Sequence, residues 1–272
     1  MLQDLPFGRL ENEYRPMPPG ASDPVLVFRE NGLLVKRLPN GNLRLPAVSR
    51  VKSPLRYAFR LHGVNYYLAA EPAEAEGFVY LPVRQLRYEA GNTFCYAAMT
   101  GWHLHRWYLS NRFCGRCGAE TVHDEKERML RCPNCAQMIF PRINPAVIVG
   151  VTDGDRLLLT KYAGRGYTQY ALIAGFTEIG ETLEQTVARE VLEEVGLKVK
   201  NIRYYKSQPW GIDGNILMGF FCDLDGDDTI TLDERELALG QWHHRAALPV
   251  EDDGYSLTRE MIRVFGGGKE PK

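Results

Sequence analysis

The sequence contains no long apolar run. Its longest apolar stretches, such as Ala146 to Val151, fall far short of the roughly 18–20 residues that a membrane span needs. An excess of one charge is also lacking: 33 Lys and Arg against 34 Asp and Glu leave a net charge of −1 over 272 residues. That balance removes any global electrostatic argument for a polyanionic partner and leaves only local patches. There is no internal repeat and no low-complexity tract. A composition that is 44% hydrophobic and 25% charged excludes disordered, collagen-like and coiled-coil chains. The opening Met-Leu-Gln-Asp-Leu-Pro lacks a basic stretch followed by an apolar one, so a secretory signal is not expected and a cytoplasmic location is. Only the tail from Gly266 reads as disordered.

Cysteine is scarce, six in all, and four of the six fall in two pairs: Cys114-Gly-Arg-Cys117 and Cys132-Pro-Asn-Cys135. Two CxxC knuckles at this separation suit a zinc ribbon better than a disulfide framework or a redox pair. Zinc takes four soft ligands in a tetrahedron, and each CxxC turn presents two thiolates to one ion. Gly115, Gly118, Pro133 and Asn134 supply the turn chemistry. Four protein thiolates leave no open coordination position, so the zinc is expected to be structural. Cys95 and Cys222 have no such neighbours and read as small buried hydrophobes.

The ribbon divides the chain into an N-terminal mixed α/β domain (1–110), the zinc ribbon (111–138) and a C-terminal domain (139–272). In the first part, Val25 to Phe28, Gly32 to Lys36, Tyr57 to Leu61, Asn65 to Ala69 and Phe78 to Pro82 read as short strands between Pro, Gly and Asn breaks. Phe94, Ala97, Ala98, Gly101, Leu104 and Tyr108 then repeat at three and four, one face of an amphipathic helix. Trp102, His103, His105 and Trp107 on that helix read as packing or solvated groups, because no second ligand cluster accompanies the histidines. The third part opens with the strand Ala146 to Val151, a turn at Asp153-Gly154-Asp155 and a partner strand Leu157 to Tyr162.

The third part also carries the chemistry. Tyr170 to Ile173 reads as a strand, followed by a Gly-rich turn at Ala174-Gly175-Phe176 able to present backbone carbonyls. A helix starts near Thr182, with Gln185 as the other half of a capping box, and stops at Gly196. Leu183, Val187, Val191 and Val195 bury one face. Glu190, Glu193 and Glu194 stand three and four apart, so Glu190 shares a face with both others. Carboxylates so close repel one another unless cations sit between them, and hard oxygen ligands suit Mg²⁺ or Mn²⁺. Arg189 lies four residues before Glu193 and can orient it, and Glu181 could add a further carboxylate.

The stretch Gly175 to Leu197 resembles the Nudix box, G-x5-E-x7-R-E-U-x-E-E-x-G-U with U aliphatic. Gly175, Glu181, Arg189, Glu190, Val191, Glu193, Glu194, Gly196 and Leu197 fall on every specified position. The resemblance implies an α/β/α sandwich and hydrolysis of a nucleoside diphosphate linked to another moiety. Downstream, Ser207-Gln208-Pro209-Trp210 follows a strand read at Asn201 to Lys206. Zinc ribbon, box and S-Q-P-W in this order resemble the NADH pyrophosphatase (NudC-type) subfamily over nearly the whole chain. That resemblance implies metal-dependent conversion of NAD(H) to nicotinamide mononucleotide and AMP, removal of NAD caps from RNA, and a homodimer with a structural zinc. Other nucleoside diphosphate derivatives (ADP-ribose, diadenosine polyphosphates) and a zinc-ribbon nucleic-acid-binding protein are the alternative readings.

Carried over by motif, the resemblance implies zinc ligands at Cys114, Cys117, Cys132 and Cys135, and magnesium or manganese ligands at Glu190, Glu194, Glu236 and the Ala174 carbonyl. Glu234 competes with Glu236. The catalytic carboxylates are Glu190, Glu193 and Glu194, with Glu190 and Glu194 expected at the metal; Glu193, Glu190 or a downstream glutamate could be the base. Substrate contacts map to Arg84, Glu127, Phe140, Phe176, Gln208, Pro209, Trp210, Gly211, Ile212, Asp213, Gly214, Asn215 and Thr258. The subfamily's P-F-P-x-S is replaced here by Gly211-Ile212-Asp213-Gly214-Asn215, Phe140 stands in place of a tyrosine, and Asn40 sits where a lysine is expected.

Overall fold

The computed structural model describes residues 1–5, 8–164, 166, 168–249 and 253–272. Contacts divide the chain into two compact units, Leu2–Ile143 with Gly211–Gly214, and Asn144–Trp210 with Asn215–Lys272 and Met1. No helix among the described residues is long and apolar enough to cross a membrane.

The N-terminal unit carries short strands: β1 (Leu10–Glu11), β2 (Val25–Leu26), β3 (Phe28–Arg29), β4 (Gly32–Arg37), β5 (Leu43–Arg44), β6 (Leu55–Leu61), β7 (Val64–Ala69) and β8 (Val79–Pro82). They form two sheets, one ordered β1-β6-β7-β2 and one in which β4 pairs with β3, β5 and β8. The strand expected over Val25 to Phe28 is in fact split at Val27, because β2 pairs with β7 while β3 turns back onto β4. Helix α1 (Asn92–Ser110) is buried around most of its circumference rather than along one stripe, with Cys95, Tyr96, Met99, Trp102 and Trp107 all inside. His105 packs against Phe28 and Trp102, and burial pulls its pKa down to about 4, so it is a neutral core group. Strands β9 (Val122–His123), β10 (Leu130–Arg131) and β11 (Met138–Ile139) make the antiparallel ribbon sheet.

The C-terminal unit is built on β12 (Asn144–Asp153), β13 (Arg156–Tyr162), β14 (Ile173–Phe176), β15 (Val199–Trp210), β16 (Asn215–Leu224) and β17 (Leu237–His244), with α2 (Leu183–Val195) and α3 (Leu257–Gly266). The sheet order is β15-β16-β12-β13-β17, with β14 also on β12; only β12 and β16 run parallel. Alternation along β12 sends side chains to both faces. Val147, Val149 and Val151 join Val187, Val191 and Val195 of α2, while Ile148 joins Leu257, Met261 and Phe265 of α3. The result is the expected α/β/α sandwich. Its capping box is formed: the Gln185 N–H donates to Thr182 Oγ1 at 3.2 Å and the Thr182 N–H to Gln185 Oε1 at 2.8 Å. Gly196 closes α2 at φ 71°, a conformation that costs a residue with a Cβ roughly 1 kcal/mol or more.

Three expectations are corrected here. The strand placed at Tyr170 to Ile173 starts at Ile173 and runs through the supposed turn, pairing Ala174 with Ile148, Gly175 with Val147 and Phe176 with Ala146. The strand placed at Asn201 to Lys206 extends through Trp210. Pro209 is tolerated because β15 is an edge strand, where a missing N–H breaks no second ladder. The tail after Gly266 is held rather than free, since Arg245 pairs with Glu270 at 2.8 Å and Arg203 Nε donates to the Pro271 carbonyl at 2.9 Å.

Gln208 is fully buried in β15. Its Nε2 donates to the Tyr255 carbonyl at 2.8 Å and its Oε1 accepts from the Leu257 N–H at 2.7 Å, which pins the start of α3 to the sheet. Gln208→Ala leaves both backbone groups unsatisfied in the interior and should cost about 2–4 kcal/mol in chemical denaturation. A loss below the error of the measurement would refute this anchoring role.

Candidate active site

One guanidinium organises the acidic helix. Arg189 Nε and Nη2 donate to the two carboxylate oxygens of Glu181 at 2.6 and 2.9 Å. Its Nη1 reaches Glu190 Oε1 at 2.7 Å and Glu193 Oε2 at 3.0 Å, and Nη2 also donates to the Phe176 carbonyl at 2.9 Å. The rigid planar fork of arginine is suited to this many fixed acceptors. Glu181 is completed by the Glu178 N–H and by the hydroxyl of Thr186, a buried polar residue that the sequence reading passed over. Glu181 therefore braces the 176–182 loop instead of adding a ligand. The Arg189 hydrogen bonds are the largest cause of its pKa falling to about 2.

Glu190 occupies a cradle that glycine creates. A Cβ on Gly175 would lie 1.8 Å from Glu190 Cδ, so this carboxylate rests against the backbone of β14 beside Ala174. Burial raises the Glu190 pKa, and the negative charges of Glu193 and Glu236 push the same way against the opposing Arg189. Glu194, one turn on, is only 3% exposed, whereas Glu193 points outward at 59%. Glu236 is exposed in the turn before β17, its N–H bonded to the Asp233 carbonyl at 3.0 Å. One arginine does not balance this set of carboxylates. Hard oxygens around a glycine-opened cradle are a donor set that fits small divalent cations.

The four ribbon cysteines converge: their sulfurs all lie within 4.8 Å of one another. Tetrahedral zinc–thiolate geometry requires sulfur separations of roughly 3.8 Å; Cys114 and Cys135 are 3.6 Å apart and Cys117 and Cys132 3.4 Å. The knuckles repeat each other in backbone detail. The Gly118 N–H donates to the Cys114 carbonyl and the Ala136 N–H to the Cys132 carbonyl, with both residues at positive φ. Backbone N–H groups aimed at the sulfurs favour thiolates; that of Ala119 is the first cause of the Cys117 pKa falling to about 6.

The remaining expected substrate residues are distributed as follows. Phe176 (53% exposed), Pro209 and Trp210 lie at strand ends of the C-terminal unit, with Trp210 edge-on to Tyr255 at 5.9 Å, and Thr258 is half-buried on α3. Gln208 is the exception among them: its amide is spent on backbone, so direct contact with a ligand is not what its geometry supports. Asn215 is buried at the start of β16. In the N-terminal unit, Glu127 lies in the exposed β9–β10 loop and Phe140 is exposed after β11. Arg84 forms an ion pair with Asp213. Gly211 is dictated by space, since a Cβ there would lie 2.3 Å from the Met99 carbonyl. Ile212 is buried, and Gly214 completes the turn at φ 77°. The sequence reading missed Arg106, whose Nη1 donates to the Ile212 carbonyl at 3.3 Å; its signal was being the lone cation of α1.

Comparison with known proteins gives the class first. The NUDIX domain family model matches residues 142–265, and the NADH pyrophosphatase zinc ribbon domain model matches residues 109–140. A curated relative, the NAD-capped RNA hydrolase NudC of Pseudomonas aeruginosa, is 33% identical over 258 residues, covering 89% of this chain and 87% of that protein. The protein of the same name from Photorhabdus laumondii is 37% identical over 162 residues, 60% of this chain; the match spans 63% of that protein's length. A Nudix hydrolase crystal structure from Nitrosomonas europaea aligns with 57% of this chain and 90% of its own at 26% identity and a TM-score of 0.49. The chain belongs to the Nudix hydrolase family, in the NudC group that carries the NADH pyrophosphatase zinc ribbon.

Two outcomes follow. Gly175→Ala should displace the Glu190 carboxylate and lower kcat about a hundredfold, as ångström-scale misplacement of a reacting group does, with the fold retained by circular dichroism. Unchanged kcat would contradict the cradle. Because the folded-state pKa of Glu181 is depressed, its stabilisation is present above about pH 4.5 and is lost as pH falls through about 2. In denaturant titrations of metal-free protein, Glu181→Gln should be less stable than the parent at pH 7, with the gap closing toward pH 2. A gap independent of pH would refute the ionic role.

Proposed function

We propose that this protein hydrolyses the pyrophosphate bond of NAD(H), giving nicotinamide mononucleotide and AMP, and that it removes NAD caps from RNA to leave a 5′-monophosphate. The observation that carries the reading is the Arg189-centred carboxylate set on α2, seated against Gly175, in a chain that also holds a four-cysteine ribbon. The similarity to the Pseudomonas aeruginosa protein over 89% of this chain, a protein named as a hydrolase of NAD-capped RNA, supports the choice of substrate.

Glu190, Glu194, Glu236 and the Ala174 carbonyl would hold Mg²⁺ or Mn²⁺, which when bound offsets phosphate charge and lowers the pKa of a water. The chain's own residues do the rest. Arg189 fixes Glu190 and Glu193 relative to the 176–182 loop, so that their oxygens need little reorganisation when substrate arrives. Glu193 is exposed and oriented, and Glu190 is made more basic by burial; these two are the candidates for taking the proton of the attacking water. Water adds to a bridge phosphorus, the P–O bond to the other half breaks, and each mononucleotide leaves with its own phosphate. Phe176 and Trp210 offer aromatic faces to the nicotinamide or adenine ring, each stack worth roughly 1–3 kcal/mol. Arg84, Glu127, Phe140, Pro209, Gly211 to Asn215 and Thr258 complete the proposed contacts, with Gln208 supporting Trp210 from the interior.

The working organisation we propose is three-part, with an N-terminal domain at 1–110, a ribbon at 111–138 whose zinc is structural, and the hydrolase domain at 139–272. We place the enzyme in the cytoplasm, where ribbon thiols stay reduced. Exposed Phe113, Val122, Met138 and Phe140 supply apolar surface for a homodimer.

The test compares kcat/KM for NADH, NAD-capped RNA, ADP-ribose and diadenosine polyphosphates with Mg²⁺ or Mn²⁺. NADH and capped RNA should rank highest, and Glu194→Gln should lower kcat at least a hundredfold, as loss of a metal-site group does. Preference for ADP-ribose would overturn the substrate assignment, and near-normal turnover by Glu194→Gln would overturn the metal role. RNA binding without hydrolysis would favour a nucleic-acid-binding protein.

A further inference from the structure

Of the six cysteines, only Cys117 is exposed. Cys95 and Cys222 are fully buried in the cores of their units, Cys114 and Cys132 are 2% and 1% exposed in the ribbon, and Cys135 is half-buried. The two knuckles repeat each other in backbone but differ in cover. The first reads Cys114-Gly-Arg-Cys117 with Gly118 after it, and a Cβ on Gly115 or Gly118 would meet nothing within 4 Å. The second carries Pro133 and Asn134 between its cysteines. Glycine on both sides of the 116–117 step therefore leaves the Cys117 sulfur open to solvent. Across the ribbon, Cys132 Sγ stands 3.4 Å from it.

A thiolate attacks a peroxide as a nucleophile, so among thiolates of one cluster the exposed sulfur reacts first. We propose that Cys117 is a modification site for hydroperoxides, and that Cys132 resolves the modified sulfur into a disulfide joining the two knuckles. The Cys117 thiolate attacks one oxygen of hydrogen peroxide, the O–O bond breaks, and the other oxygen leaves as hydroxide. Cys117 is then a sulfenic acid, oxidised by two electrons. The Cys132 thiolate attacks that sulfur, the S–S bond forms, the S–O bond breaks, and a second hydroxide leaves. Two thiolates have been oxidised and one peroxide reduced. The bond spans the knuckles, unlike a redox couple within one C-x-x-C turn, and thiol reductants reverse it by exchange. One consequence rests on the reading of the ribbon as a zinc site: a zinc held there loses two of its four ligands and is released.

The test exposes the purified full chain to hydrogen peroxide, follows released zinc with a chromogenic chelator, and maps the cysteines by differential alkylation and mass spectrometry. Zinc should appear in step with a disulfide between Cys117 and Cys132, while Cys95 and Cys222 stay reduced. Dithiothreitol with added zinc should restore the starting state. Cys117→His, which keeps a nitrogen ligand for zinc, should release it about tenfold more slowly. Cys132→His should stop at the sulfenic acid on Cys117, captured by dimedone. The mapping on the parent chain decides the matter even where a variant fails to fold. A first disulfide that lacks Cys117, one that joins Cys117 to a cysteine other than Cys132, or zinc release from Cys117→His at the parent rate would overturn the proposal. A parent chain that holds no zinc before oxidation would refute the zinc reading of the ribbon, and the disulfide map would still decide the site of modification.

Discussion

Carboxylates on adjacent turns of a helix repel one another, and the acidic face of α2 exists because Arg189 holds it together. Its guanidinium donates to Glu181, Glu190, Glu193 and the Phe176 carbonyl. It joins the loop before the helix, the edge of β14 and two of the helix carboxylates into one rigid piece. Removing it would leave the loop unbraced and the glutamates free to spread apart. The charge that Arg189 does not cancel is the part available for cations and, through them, for phosphate.

The sandwich positions this piece with ordinary means. The valines of α2 bury against alternate residues of β12, which sets the rotation of the helix and sends Glu190 toward β14. Gly175 then removes the one atom that would keep the carboxylate away from the strand. A structural zinc needs no such charge excess. The ribbon cysteines receive backbone N–H groups from two matched knuckles, so the thiolates are favoured locally, and a zinc held by them would cross-link the small ribbon sheet at its end.

Much of this was legible in the sequence because it depends on neighbours in the chain. The Thr182–Gln185 capping box, the Gly196 terminator, the valine face and the two CxxC turns are local patterns, and each formed as read. Where tertiary context decides, the reading failed. Gly175 looks like a turn residue, yet here glycine makes room inside a strand. Ser207 to Trp210 lies outside the strand read at Asn201 to Lys206, yet β15 runs through it because an edge strand accommodates Pro209. The glycine-rich tail looks free, but Arg203 and Arg245, far away in sequence, tie it down. Gln208 belongs to a motif that points to substrate, and only the fold shows its amide engaged with Tyr255 and Leu257. The Arg84–Asp213 pair joins residues more than a hundred positions apart, and no periodicity announces it.

The central claim is that the α2 carboxylates are a divalent-cation site in which the pyrophosphate is cleaved. Its most direct test is a crystal grown with Mn²⁺ and a non-hydrolysable NAD analogue, with anomalous scattering recorded at the manganese edge. The account predicts an anomalous peak in contact with Glu190 and Glu194, with pyrophosphate oxygens of the analogue on the same ion. Manganese found only elsewhere, or an analogue bound with no ion at these two residues, would contradict it.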